Sequence, residues 1–89
     1  MKIEYDPAKR DATLLHRALD MADTVQVFAG DLVMVADTRQ DYGETRFTTV
    51  GFLNERMVVV IWTRRGTTRR IISLRKANAR EQACYGPSL

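Results

Sequence analysis

Arginine is the residue type this chain concentrates. Residues 63–80, TRRGTTRRIISLRKANAR, hold seven of its fourteen Lys and Arg residues and no acid. A guanidinium stays charged at physiological pH, and its planar fork donates two parallel hydrogen bonds to a phosphate. Charge is also divided along the chain. Residues 1–44 hold five basic and nine acidic residues, whereas residues 45–89 hold nine basic and two acidic ones. Asymmetry of this kind aims a basic face at an anion, and the apolar residues interleaved with the arginines place that face on a rigid element. Other chemistries find no support. The lone histidine, His16, and the lone cysteine, Cys84, are too far apart for zinc-ligand spacing, so no metal site and no cofactor is expected. RRGTT (64–68) has one glycine and lacks the phosphate-loop pattern. Cys84 has no disulfide partner and no histidine following it.

The elements that must position the arginines follow from periodicity. KIEY (2–5) alternates as a short strand. In the next segment Asp6 suits a helix cap and Pro7 the first helical position. Ala8, Ala12, Leu15 and Leu19 recur at helical spacing. DMADTVQVFAGD (20–31) reads as a second short helix with Met21, Val25 and Phe28 as its apolar stripe and Gly30 at its stop. LVMVAD (32–37) is a strand by β-branching, and TRQDYGE (38–44) a polar loop. Strands then follow one another: TRFTTVGF (45–52), a tight LNE turn, RMVVVIWT (56–63) as a central strand, an RRGT turn, and TRRIISLR (68–75). KANAREQACY (76–85) is a final helix and GPSL a tail. Helices segregated from consecutive strands predict an α+β fold: a small antiparallel meander with two N-terminal helices on one face and a C-terminal helix. Simple alternation in the last strand puts Arg69, Ile71, Ser73 and Arg75 on one side and Arg70, Ile72 and Leu74 on the other.

At 89 residues a single domain over 1–89 is expected. No apolar run approaches the roughly 20 residues of a membrane span, and the N-terminus lacks a signal-peptide core. These features and the unpaired cysteine favour a cytoplasmic protein with no membrane partner.

Several segments together resemble the BrnT family, ribonuclease toxins of bacterial type II toxin–antitoxin pairs. YDPAK (5–9) looks like the family's opening WDPxK, LDMADTVQVF (19–28) like VSFEEAxxVF, and GETRFTTVG (43–51) like GExRxxxxG. WTRR (62–65) followed by RRIISLRKANAREQACY (69–85) is close to YTxR … RIISARxAxxxExxxY. The resemblance implies a RelE-like fold and endonucleolytic cleavage of RNA that halts translation. It also implies an antitoxin with a ribbon-helix-helix DNA-binding domain, through which alone the pair would hold operator DNA. One departure stands out. Where many members carry NxxKHG, this chain has Thr13, His16, Arg17 and Ala18, so the histidine occupies the lysine's place. A catalytically degenerate module that keeps its antitoxin and RNA contacts is therefore the alternative reading.

Metal-independent RNA cleavage by the 2′-OH needs a base, stabilisation of the charge-dense phosphorane and an acid for the departing 5′-oxygen. Arg65 at the hairpin turn and Arg75 at the strand's end match family motif positions and suit the phosphorane; Arg46 and Arg70 are further candidates. Glu44 is a candidate base or an orienter of arginines. His16 is the residue type that moves protons near neutrality, and equally a surface histidine. Arg64, Arg69, Lys76 and Arg80 are expected to contact RNA phosphates. Ser73 is read as a phosphate contact or helix cap, Tyr85 as a base-stacking or packing residue, and Trp62 as core or rim.

Overall fold

The computed structural model describes residues 1–37 and 43–89. The loop reading of 38–44 falls, for 38–42, outside the described residues. Strands β1 (Lys2–Tyr5), β2 (Leu32–Asp37), β3 (Arg46–Leu53), β4 (Arg56–Arg65) and β5 (Thr68–Lys76) form one sheet in the order β1-β5-β4-β3-β2. β2 to β5 are the antiparallel meander expected. β1 adds to β5 in parallel, so the sheet is mixed rather than antiparallel throughout. A return across the sheet between β1 and β2 makes this possible, and α1 (Pro7–Arg17), a 3₁₀ turn at Met21–Asp23 and α2 (Thr24–Ala29) supply it. Helix α3 (Ala79–Tyr85) and a 3₁₀ turn at Gly86–Ser88 close the chain. No helix among the described residues is long and apolar enough to cross a membrane.

Two tight turns fix the meander's register. Asn54 and Glu55 link β3 to β4 with φ of 50° and 67°, the double left-handed conformation that matches strand twist. Gly66 opens the two-residue β4–β5 loop at φ 61°, a conformation glycine adopts without strain.

The larger core lies on one sheet face. Leu19, Met21 and Val27 pack there on Leu53, Val58, Val60, Trp62, Ile71 and Leu74. Val27, not Val25, carries the second helical segment's contact: the segment starts as a 3₁₀ turn, which changes its phase, and Val25 is 52% exposed. Gly51 permits the close approach, since a Cβ there would lie 2.9 Å from Val27 Cγ1. Trp62 is buried, donates to Thr49 Oγ1 (2.9 Å) and stacks on Phe47, so it belongs to the core.

Helix α1 departs from its sequence pattern. Ala8, Ala12 and Leu15 all face solvent, and the helix buries no residue fully. Polar links hold it instead. Arg10 makes a bidentate pair with Asp20 (2.9 and 2.7 Å), and Arg17 donates to the Leu74 carbonyl (2.8 Å). The Arg10 guanidinium, with the Ala22 amide, lowers the Asp20 carboxyl to a pKa of about 2. The opposite sheet face carries a smaller cluster, Val50, Val59 and Ala77, packed with Met57, Ile61, Tyr85 and Leu89 from α3's side. α3 covers only part of this face.

Candidate functional site

The placement of the arginines turns on a bulge. β4 and β5 pair Ile61 with Ser73 but Trp62 with Ile71, leaving Ile72 as the extra residue. A bulge restarts alternation. Arg69 and Ile71 therefore share the core-side face, while Arg70, Ser73 and Arg75 share the face carrying α3. This corrects the division expected from uninterrupted alternation, which put Arg70 opposite Arg75. The cross-strand rows complete the picture. Arg70 lies in register with Thr63, Thr63 with Arg46 and Arg46 with Asp37. By alternation Arg65 projects to the same face, two residues beyond Thr63.

There Arg46, Arg65 and Arg70 line a cleft of about 190 Å³ together with Glu44, Asp6, Lys9, Ile71 and Ile72. The Arg65 guanidinium is 3.7 Å from a Glu44 carboxylate oxygen. Thr63, buried between the arginine strands, donates to the Thr45 carbonyl (2.7 Å) and ties the end of β4 to the chain entering β3. Asp6 accepts from the Ala8 amide (2.9 Å) as the α1 cap, which sets the first turn of α1, and with it Lys9, at the cleft wall. Sequence alone marks Lys9 only as a motif residue and Asp6 as a motif and cap residue. The motif YDPAK held both, but only the fold carries them to the arginines of β3–β5.

Arg75 occupies the neighbouring groove on the same face, about 350 Å³, lined also by Val35, Ala36, Asp37, Thr48, Ile61, Glu81 and Tyr85. It is committed to Glu81 by two hydrogen bonds of 2.7 and 2.8 Å. That pairing raises the Arg75 pKa and, with the Asn78 amide, holds the Glu81 carboxyl down to about 2. Glu81 and Asn78 form a reciprocal capping box at the start of α3. Arg75 thus anchors α3 to the sheet, and Asn78 rather than Ser73 caps the helix. Ser73 sits mid-strand opposite Ile61.

The remaining candidates spread out. His16 is exposed in the last turn of α1 and is not among the residues lining the cleft. Lys76 ends β5 and Arg80 lies in the first turn of α3, both exposed. Tyr85 packs with the smaller core cluster while bordering the Arg75 groove. Arg64 and Arg69 face the opposite side from the cleft, Arg69 lying over the Phe28 ring at 4.0 Å. No group of three or more His, Cys, Asp or Glu among the described residues is arranged to hold a metal ion.

The family model described as ribonuclease toxin, BrnT, of type II toxin–antitoxin system matches residues 5–81. The chain belongs to the BrnT family. Membership makes it a ribonuclease-toxin family protein whose system includes an antitoxin partner. No curated protein matches the chain. The matched span includes every residue that lines the cleft: Asp6 and Lys9 near its start, Glu44 and Arg46 in the middle, Arg65, Arg70, Ile71 and Ile72 towards its end.

Proposed function

We propose that the cleft cuts RNA without a metal ion, by attack of the 2′-oxygen on the adjacent phosphorus, and that the protein is a RelE-like, cytoplasmic toxin whose cuts stop translation. The convergence of Arg46, Arg65 and Arg70 from three strands onto one cleft beside Glu44 carries this reading. A bond forms between the 2′-oxygen and phosphorus, the bond from phosphorus to the 5′-oxygen breaks, and a 2′,3′-cyclic phosphate and a 5′-hydroxyl result. Glu44 accepts the 2′-hydroxyl proton. The arginines hold the non-bridging oxygens as negative charge builds on them, and the Lys9 ammonium supplies the proton taken up by the 5′-oxygen. Arg65, through its contact with Glu44, also orients the base.

This assignment leaves His16 without a catalytic part, so its shift within the family motif costs no chemistry. Arg75 positions α3 rather than touching the scissile phosphate. The antitoxin is proposed to be of the ribbon-helix-helix type, to cover the arginine face with acidic residues and to carry any contact with operator DNA.

The test is direct. The purified chain, incubated with RNA in EDTA, should give fragments ending in cyclic phosphate, and Arg65→Ala with Arg70→Ala should abolish them. A wild-type chain that leaves RNA intact, or a double variant that cuts normally, refutes the assignment.

A further inference from the structure

The tip of the β4–β5 hairpin carries arginines on both faces. Arg65 and Arg70 look into the cleft. Arg64 and Arg69, directly opposite each other in register, look to the other side. Like charges placed so on neighbouring strands destabilise a sheet, and no carboxylate among the described residues pairs with either. Arg64 donates only a long bond to the Gly66 carbonyl (3.3 Å).

Arg69 is held from behind by aromatic rings, its guanidinium carbon 4.0 Å from the Phe28 centroid and 5.2 Å from that of Trp62. Stacking of this kind orients the guanidinium. Its Nε is buried with no hydrogen-bond partner among the described residues, and burial together with Arg64 lowers its pKa. The fold thus builds a fixed, half-buried cation beside a second cation, with no counter-charge paired to either among the described residues. Gly66, at the tip between the two arginine pairs, has open space where a Cβ would stand.

We propose that Arg64 and Arg69 form a second phosphate site, which grips a further phosphodiester of an RNA strand that crosses the hairpin tip from the cleft. A strand with regularly repeated phosphates engages both faces of one hairpin, whereas a single carboxylate answers only one of them. The inference rests on the RNA-cleaving reading and extends it: the protein recognises a run of nucleotides, with one contact behind the hairpin from the bond it cuts.

The probes are a trinucleotide and a decanucleotide of 2′-O-methyl RNA, which bind but cannot be cut, with affinity read by fluorescence anisotropy. Wild-type protein should bind the decanucleotide more tightly. Arg64→Ala should weaken the decanucleotide by about ten-fold, weaken the trinucleotide far less, and reduce the slope of log affinity against log salt by about 0.7 on the longer strand. Arg69→Lys keeps the charge but loses the stacked plane, and should give an intermediate loss with an unchanged melting temperature. Equal losses on both lengths, or none on either, overturn the second site while leaving the cleft intact. Loss of antitoxin binding by Arg64→Ala without loss of RNA binding also overturns it, and assigns the pair to a protein partner. A wild-type chain that binds neither probe overturns both this site and the cleft.

Discussion

Each arginine of this protein is set apart from the next by what stands within reach of its guanidinium. Arg75 makes a bidentate pair with Glu81, one bond from each terminal nitrogen, so its removal should act on stability. Arg75→Ala leaves the Glu81 carboxylate, part-buried at 21% exposure, without its cation. A loss of about 1–2 kcal/mol is expected, read as a lower midpoint in urea, with the cleavage rate of the folded fraction little changed. Arg65 is mostly exposed, at 56%, and stands 3.7 Å from Glu44. A group so loosely held is free to turn to substrate. Arg65→Ala should therefore lower kcat by about 10²–10³-fold while the melting temperature stays within a degree or so. Should the two variants exchange these phenotypes, the division between anchor and cleft residue is wrong. His16→Ala should leave cleavage within about two-fold of wild type at every pH assayed, because no proton transfer is assigned to it.

At the scale of elements, short connections decide where long ones point. Glu55 holds φ at 67°, a conformation that costs a side-chain-bearing residue roughly 1–2 kcal/mol. Glu55→Gly should thus raise the melting temperature by several degrees, measurable by circular dichroism, and a fall would refute the strain. Gly51 acts in the opposite sense. A methyl there would come within 2.9 Å of Val27 Cγ1 and 3.3 Å of the Asp31 carbonyl, so Gly51→Ala should destabilise by about 1–3 kcal/mol. The Ile72 bulge matters most for the make-up of the cleft. It turns Arg70 towards Arg46 and Arg65 while keeping Ile71 in the core.

The whole molecule is held partly by ion pairs that link helices to the frame, which gives it a particular response to acid. Asp20 and Glu81 both have folded pKa values of about 2, below the ordinary carboxylate range near 4. Their stabilisation is complete above the unfolded pKa and disappears as pH falls through the folded one. Unfolding in acid should steepen between about pH 4 and pH 2, and Glu81→Gln should flatten its share of that slope. Much of this architecture was legible in the residue order. β-branched runs and alternation marked the meander, Asp6–Pro7 and Gly30 marked helix ends, and the clustered arginines marked a basic hairpin, because these signals act between near neighbours. Of Ala8, Ala12, Leu15 and Leu19, which share helical spacing, only Leu19 is buried, since helical spacing says which residues share a side and not whether anything lies against it. Sequence alone determined the kinds of elements, their order and the basic character of the C-terminal half. Tertiary structure alone decided which arginines meet: a single inserted residue in β5 reverses the faces beyond it, and parallel docking of β1 beside β5 carries Asp6 and Lys9 to the cleft from some sixty positions away. Backbone register and chain return are collective properties of the folded sheet, so no local pattern encodes them.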